Sequence, residues 1–268
     1  MKKRGCIIGN SHVAALMGAW RAEPGRWGGM DLDFFGMPGG NWWGCTFDGV
    51  AIRPKNEATR DALESVNGIA AIPLQSYDFF AVIGQKLSVQ TAIWSYRAGV
   101  YLGLPSVKAL ADIEKHNRPL RSRACFEQDL RDRLAKTSAL HLAKRLHEVT
   151  GQPAWVLPQP NLDITVRQDK EGYEGFRYTA RMGDGDALMG QFEAQVSAVC
   201  AELGLGFVPQ PEKTRIEGIF TQSKFMQGSK RLTGGGAAHP KRDRLHGNTD
   251  YGAQVLDAFE AAVLQGEL

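Results

Sequence analysis

A serine near the beginning of the chain lies where its hydroxyl could act as a nucleophile. The stretch GNSH at residues 9–12 follows the apolar run Cys6–Ile8, and a pattern typical of a helix begins directly after it. The first backbone N–H groups of a helix have no partner within the helix. Ser11 can therefore cap that helix, for which serine is a favoured residue, or attack an acyl carbon beside those N–H groups. Taken alone, its position favours the cap.

Two residues near the other end of the chain could activate this serine. Asp243 precedes His246 by three positions, directly before the last helical pattern. A serine hydroxyl needs a base that accepts its proton, and the base needs an acceptor that fixes its ring tautomer. Asp243 and His246 can supply both from one tight loop, in the chain order serine, acid, histidine. The two ends together therefore predict a Ser-His-Asp site, provided that the fold brings them into contact.

The elements that must position these residues alternate between strands and helices. Short, continuous apolar runs predict buried strands over Gly5–Gly9, Leu32–Phe35, Phe79–Ile83, Ala154–Leu157 and Leu205–Val208. Such runs are typical of parallel strands that are covered on both faces. Helical spacing of apolar residues predicts helices over Val13–Arg21, Arg123–Val149, Asp186–Leu203 and Thr249–Leu264. The alternation predicts an α/β fold, a three-layer α/β/α sandwich with a central, mostly parallel sheet of about five strands.

Two segments interrupt the alternation. Residues 41–72 include Asp48-Gly49, which predicts a small hairpin over Thr46–Ile52. Residues 209–242 form a long, glycine-rich stretch, and a long loop in a compact domain is usually either functional or disordered. We therefore predict a single domain over residues 1–268, with insertions around 41–72 and 209–242.

The two candidate stretches resemble sequence blocks of a known family. Residues 9–12 resemble the first block of the SGNH (GDSL-type) hydrolases, whose usual form is Gly-Asp-Ser, with Asn10 in place of the aspartate. Asp243-x-x-His246, continued by Gly-Asn-x-x-Tyr-Gly, resembles their last block. The resemblance spans almost the whole chain. It implies a flavodoxin-like sandwich with a serine esterase site at the carboxyl edge of its sheet, in which Ser11 is the nucleophile, His246 the general base and Asp243 its orienting partner.

The resemblance also implies three hydrogen-bond donors to the oxyanion of the reaction. The first is the backbone N–H of Ser11, and the second is the backbone N–H of Gly39 or Gly40, after the second strand. The third would be an asparagine side chain in a Gly-x-Asn motif after the third strand.

The third motif departs from the family pattern, because the chain reads Gly84-Gln85-Lys86 there. Loss of one oxyanion donor costs about 10²–10³ in kcat. Several interpretations are open. Gln85 or Lys86 donates the third hydrogen bond instead, or Asn41 donates it from the neighbouring loop. Otherwise the enzyme is slow, or the chain is not an enzyme. A lysine would hold an oxyanion well, since a charged donor makes a stronger hydrogen bond, although a solvated Lys86 is the more ordinary interpretation.

Other residues near these motifs have weaker interpretations. Trp42 and Trp43 could line a substrate pocket, stacking on a sugar or flanking an acyl chain, or they could pack in the core. His12 follows the serine, but we expect its side chain to point away from the site and to have a structural role. His239 lies on a loop without an acidic partner at metal-binding spacing.

Composition and motifs argue against several other classes of protein. The formal net charge is +3, with 32 basic and 29 acidic residues, which is unlike the concentrated basic surplus of a nucleic-acid binder. No apolar run approaches the roughly 18 residues of a membrane helix, and the start lacks the apolar stretch of about 7–15 residues in a signal peptide. We therefore predict a cytoplasmic protein without a nucleic-acid or membrane partner. The four cysteines form no CxxC pair, and no zinc motif or dinucleotide fingerprint occurs, so we predict no metal and no cofactor.

The function that these residues predict is a serine esterase. It would hydrolyse a small acyl ester, such as O-acetyl groups on a carbohydrate, through an acyl-enzyme. One alternative is an acyltransferase that uses the same triad. Another is a non-catalytic binding protein that kept the fold after losing the third oxyanion donor. The sequence leaves the oligomeric state open.

Overall fold

The computed structural model describes residues 2–169, 171–233 and 236–266. Its strands are β1 (Lys3–Gly9), β2 (Met30–Gly36), β3 (Cys45–Phe47), β4 (Ala51–Pro54), β5 (Ile72–Pro73), β6 (Phe79–Ile83), β7 (Ala154–Leu157), β8 (Leu162–Asp163), β9 (Gly206–Phe207), β10 (Arg215–Ile216) and β11 (Phe220–Thr221). Its α-helices are α1 (Val13–Ala22), α2 (Glu57–Asn67), α3 (Gln90–Ala98), α4 (Arg123–Leu134), α5 (Ser138–Thr150), α6 (Glu174–Met182), α7 (Gly185–Glu202) and α8 (Thr249–Gln265). None of the helices in the described ranges combines the length and the apolar character that a bilayer crossing requires.

The central sheet consists of five parallel strands in the order β2-β1-β6-β7-β9. From β1 the chain turns to β2 on one side, and it then crosses to β6 on the other side. Ligands of open α/β sheets bind outside the carboxyl ends of the strands, at the place where the strand order reverses in this way. Ser11 follows β1 directly, so it lies at that place.

Side chains of the sheet alternate between two cores, one on each face. Ile8 and Phe80 point into a core that also contains Phe192 of α7. Ile7 points to the opposite face, where it packs in a core with Leu16 of α1 and Phe259 of α8. The three-layer α/β/α sandwich predicted from the apolar runs is therefore confirmed, and so are its five strands.

The prediction of one helix over Arg123–Val149 was wrong. The chain forms α4 and α5 instead, and residues 135–137 separate them. Thr137 ends the first helix, because its Oγ1 donates to the carbonyl of Leu134 at 2.8 Å. The N–H of Ala139 in the first turn of α5 donates to the carbonyl of Gln85 at 3.1 Å. This contact joins residues that are far apart in the sequence, so the spacing of apolar residues could not predict the break between the two helices.

The two interrupting segments form small sheets of their own. The predicted hairpin is confirmed: β3 pairs with β4, and Asp48 in its turn accepts hydrogen bonds from the N–H groups of Val50 and Ala51. Strand β5 joins its edge, and α2 follows β4. In the second segment, where residues 234 and 235 lie outside the described residues, β10 and β11 pair with each other, and β11 also pairs with β8. That the whole chain is a single domain stays a prediction.

Helices α1 and α8 pack directly against each other, and they begin just after Ser11 and just after His246. Their closest approach is at Gly252 of α8, where a Cβ atom would lie 2.1 Å from the carbonyl oxygen of Ala15. Only glycine leaves room for this crossing. The helix pair therefore carries the two ends of the chain to the same edge of the sheet.

We expect Gly252→Ala to lower the free energy of unfolding by about 1–3 kcal/mol, because the added methyl group overpacks the crossing of α1 and α8. Gly190→Ala in α7 is the matched control, since its Cβ would meet nothing within 4 Å. It should be neutral or raise the stability by up to about 1 kcal/mol, through helix propensity alone. Urea unfolding of both variants measures the difference. Equal stability of Gly252→Ala and the parent protein would contradict the close crossing.

Candidate active site

Ser11, His246 and Asp243 form a continuous chain of hydrogen bonds at the carboxyl edge of the sheet. The Oγ atom of Ser11 lies 2.8 Å from Nε2 of His246. The Nδ1 atom of the same ring lies 2.9 Å from Oδ2 of Asp243. All three residues are half-buried. The two ends of the chain, on whose meeting the sequence prediction depends, are therefore in contact.

Ser11 does not act as a helix cap. The residue before α1 is His12, which makes no side-chain cap, and the N–H of Val13 donates to the carbonyl of Asn10. Because the Ser11 hydroxyl is turned to His246, it is available for chemistry. Asn10 holds the backbone around Ser11, since its Oδ1 accepts from the N–H of His12 at 3.3 Å. An aspartate, which the SGNH hydrolases usually have at this point of their first sequence block, could accept the same bond.

The loop that carries Asp243 and His246 is held by its own carboxylate. Oδ1 of Asp243 accepts from the N–H groups of Leu245 and His246 at 2.8 and 2.9 Å. Burial would raise the pKa of Asp243, but these backbone donors and the His246 ring outweigh burial and lower the pKa below its ordinary value. Asp243 is therefore ionised at neutral pH and can orient the His246 ring.

Contacts with the second inserted segment and with β8 anchor this loop. The N–H of Asp163 in β8 donates to the carbonyl of Arg244 at 3.0 Å. Asn248 caps α8, since its Oδ1 accepts from the N–H of Tyr251 at 3.0 Å, and its Nδ2 donates to the carbonyls of Lys224 and Gln227. The end of the loop and the start of α8 are thus fixed together.

Two further histidines flank the His246 ring. The ring of His12 is stacked with it at a centroid distance of 5.0 Å, so the expectation that this side chain points away was wrong. Burial and the neighbouring His246 lower the pKa of His12 to about 3. The ring of His239 is also stacked with that of His246, at 3.9 Å between centroids and 11° between planes. Its Nδ1 is 3.3 Å from Oδ2 of Asp243, so its acidic partner is the residue four positions later.

His239, Asp243 and His246 also have potential metal-ligand atoms within 4.8 Å of one another. The nitrogen lone pairs of an imidazole lie in the plane of its ring. Because the two histidine rings are stacked and nearly parallel, their lone pairs do not converge on one ion. Nδ1 of His246 is instead hydrogen-bonded to Oδ2 of Asp243, and Nδ1 of His239 lies 3.3 Å from the same oxygen.

The glycines after β2 differ in the use of their N–H groups. The N–H of Gly40 donates to the carbonyl of Met37 at 2.9 Å and closes a turn. In the described part of the chain, no hydrogen bond from the N–H of Gly39 or of Ser11 is seen. Of the two candidate glycines, Gly39 is therefore the one whose N–H is free to donate to an oxyanion.

The loop after β6 has an unusual backbone. Gly84, Gln85 and Lys86 all have positive φ angles, of 76°, 48° and 67°. Glycine is needed at the first position, where a Cβ atom would lie 2.5 Å from Oδ1 of Asn10. The other two are residues for which this region is unfavourable.

The side chain of Gln85 pins this loop to its neighbours. In the amide orientation that satisfies the surrounding groups, Nε2 donates to the carbonyl of Gly40 at 3.1 Å. Oε1 accepts from the N–H of Asn10 at 3.2 Å and from Nε1 of Trp42 at 3.0 Å. The Gln85 amide is therefore hydrogen-bonded to the loops after β1 and β2. Because its N–H is used in these contacts, Gln85 has a structural role and is not a candidate oxyanion donor.

Lys86 and Asn41 remain as candidates for the third donor. Both are exposed, and neither side chain makes a hydrogen bond in the described ranges. Lys86 borders a cavity of about 490 Å³ that also touches Leu245, the residue before His246.

The two adjacent tryptophans have different environments. Trp42 is 3% exposed and its Nε1 also approaches the carbonyl of Gly9 at 3.1 Å, so it belongs to the core. Trp43 is 60% exposed. It borders a cavity of about 540 Å³ that is also lined by Gly40 and Gln85 of the candidate oxyanion loops. Of the two tryptophans, Trp43 is therefore the one whose ring can contact a ligand.

Comparison with known proteins yields distant structural similarity. The chain is similar to an extracellular lipase from Streptomyces rimosus, with 11% sequence identity, coverage of 97% of this chain and 99% of that chain, and a TM-score of 0.40. It is similar to phospholipase A1 from Streptomyces albidoflavus NA297, with 12% identity, the same coverage and the same TM-score. For a protein described as a GDSL-like lipase from Bacteroides ovatus, identity is 10%, coverage 99% of both chains and the TM-score 0.34. No family model and no curated protein matches the sequence.

The lowered pKa of His12 leads to a prediction about stability. Between pH 6.5 and about 3 the unfolded state binds a proton at His12 that the folded state does not. Stability should therefore fall as the pH is lowered through this range, with a contribution of at most about 1.4 kcal/mol per pH unit. We expect His12→Gln to flatten the dependence between pH 6.5 and 4.5, above the range in which Asp243 titrates.

Urea unfolding at several pH values measures this dependence. The exposed His141 provides the control, and His141→Gln should leave the slope unchanged. A slope that is the same in His12→Gln as in the parent protein would show that His12 is not the buried neutral group.

Proposed function

We propose that the chain is a serine hydrolase of the SGNH type that cleaves small acyl esters. The observation that supports this most directly is the hydrogen-bonded series from Ser11 through His246 to Asp243, with heavy-atom distances of 2.8 and 2.9 Å. A nucleophile, a base and an orienting carboxylate in this order are the parts of a catalytic triad. Their position at the switch point of a parallel sheet is where such folds bind ligands.

The reaction follows from the protonation states of these groups. The Oγ atom of Ser11 attacks the acyl carbon of the ester while its proton passes to Nε2 of His246. Asp243 accepts from Nδ1–H of the ring and stabilises the imidazolium. The tetrahedral adduct then expels the alcohol, which takes the proton from His246. Water, deprotonated by the same base, attacks the acyl-enzyme and releases the acid, which restores Ser11.

The oxyanion of this adduct requires donors at the sheet edge. The N–H groups of Ser11 and Gly39 are available for this role, because no hydrogen bond from either is seen in the described ranges. Lys86 supplies the third donor, at the position where the family has asparagine. Its charge favours this assignment, since a charged donor binds an oxyanion more strongly than an amide does.

The cavity beside Trp43 receives the larger part of the substrate. Its volume of about 540 Å³ lies within the range of small-molecule sites. The exposed indole offers a flat apolar face on which a sugar ring can stack, which favours O-acyl groups on a carbohydrate as substrates.

We expect Ser11→Ala to lower kcat for p-nitrophenyl acetate by at least about 10⁴-fold and to abolish labelling by a fluorophosphonate, because the attacking hydroxyl is gone. Asp243→Asn should lower kcat by about 10⁴-fold with little change in KM, since it favours the wrong tautomer of His246. The exposed Ser65 of α2 serves as the control, and Ser65→Ala should behave as the parent protein does.

The departure at residues 84–86 favours one competing function, a binding protein on the same fold. That function would hold if the parent protein neither hydrolysed the ester nor reacted with the fluorophosphonate. A biological role that survives Ser11→Ala would support it further.

We expect Lys86→Met to lower kcat by about 10²–10³-fold with KM nearly unchanged, which is the effect of removing one oxyanion donor. Lys86→Asn should recover part of this loss, because its amide can donate and asparagine tolerates the positive φ angle. Steady-state kinetics on both variants measures the effect. If Lys86→Met keeps full activity while Asn41→Ala loses it, the third donor is Asn41.

A further inference from the structure

The base of the proposed triad is stacked with two other imidazoles. The His239 ring lies 3.9 Å from the His246 ring between centroids and 11° between planes, and the His12 ring lies at 5.0 Å and 30°. Oδ2 of Asp243 accepts a hydrogen bond from Nδ1 of His246 at 2.9 Å, and Nδ1 of His239 lies 3.3 Å from the same oxygen. The base therefore has two ring neighbours that a triad does not require.

The position of His239 is fixed by its backbone. Its N–H donates to the carbonyl of Ser229 at 2.9 Å, and the neighbouring Ala238 forms a bridge with Lys230. Its side chain is 12% exposed. The ring is therefore carried by a paired segment, and it is largely buried beside Asp243 and His246.

The surroundings of the two His239 nitrogens bear on its charge. The Nδ1 atom lies 3.3 Å from Oδ2 of Asp243, which is a close approach rather than a hydrogen bond. The Nε2 atom is buried and has no partner in the described ranges, so a proton there would be unsatisfied. Burial and the nearby His246 lower the pKa of His239, and Arg231 acts in the same direction, whereas Asp243 and a hydrogen bond to the backbone of Lys230 oppose them. His239 is therefore a neutral ring with one N–H donor at neutral pH.

We infer that His239 is a positioning residue of the site, which fixes the plane of the His246 ring by stacking on it. This inference rests on the proposed function. When the proton of Ser11 reaches His246, the resulting imidazolium lies against two neutral rings. The stacked His239 ring restricts rotation of the base away from Ser11. His239 itself neither accepts the proton nor touches the substrate.

Three variants test whether stacking is the contribution of His239. His239→Phe keeps a flat ring, whereas His239→Gln and His239→Ala lose it. We expect His239→Ala to lower kcat for p-nitrophenyl acetate by about 10-fold, with KM within a factor of two. His239→Gln should lower kcat to a similar extent, and His239→Phe should keep a kcat near that of the parent protein. His147→Ala, in α5 and outside the site, is the control and should match the parent protein.

A pH titration distinguishes positioning from a general loss of structure. In His239→Ala the charge of Asp243 acts on His246 alone and water reaches the open face of the ring, and both effects favour the charged imidazole. We therefore expect the titration midpoint of His246, followed by NMR of its ring protons, to rise by about half a pH unit. It should stay near the parent value in His239→Phe, whose ring still covers His246. The acid limb of kcat/KM should move by the same amount.

The NMR measurement does not require turnover, so the two proposals can fail separately. If the parent protein hydrolyses the ester but His239→Ala changes neither kcat nor the midpoint, the positioning role is overturned and the esterase function stands. If His239→Ala lowers kcat without moving the midpoint, His239 only supports the loop and the inference fails. If the midpoint rises but the parent protein hydrolyses nothing, His239 does orient His246 and the esterase function is wrong.

Discussion

The contact between Ser11 and His246 depends on the packing of α1 against α8. Each helix begins directly after one of these residues, and the close crossing at Gly252 brings the two starting points to the same edge of the sheet. A hydrogen bond of 2.8 Å between side chains from opposite ends of the chain tolerates little movement of either helix. The apolar core between the helices and the sheet thus holds the two side chains at this distance, because a site carried by packed elements is more precise than one carried by loops.

The environment of His246 combines burial with a single negative charge. Asp243 is ionised and accepts from the His246 ring and two backbone N–H groups, so its charge is well compensated. His12 and His239 are held neutral by burial, as the lowered pKa of each indicates. A neutral stack around one base is consistent with a site in which only one histidine changes its charge during a reaction. The cost of burying His12 is lost stability at low pH, because the unfolded chain binds a proton there that the folded chain does not.

The loop after β6 stores conformational strain that other contacts offset. Positive φ angles at Gln85 and Lys86 cost roughly 1–2 kcal/mol each for residues with a Cβ atom. Gln85 offsets this through its buried amide, which joins the loops after β1 and β2, while its carbonyl accepts from the first turn of α5. Strain of this kind persists where the surroundings over-determine a conformation, and it is concentrated at functional sites. The same loop carries Lys86, which borders the cavity that also touches Leu245.

The strands of the central sheet, the three layers and the residues that could do chemistry were predictable from the amino-acid sequence. Apolar runs, turn residues and the stretches around Ser11 and His246 are local patterns, which can be recognised in a single sequence. The partners of these residues became known only from the three-dimensional fold. The break between α4 and α5, the tie made by Gln85 and the stacking of His239 on His246 all arise where loops from distant strands meet at one edge of the sheet. Such contacts depend on the relative positions of whole elements, and no spacing within one stretch of the chain encodes them.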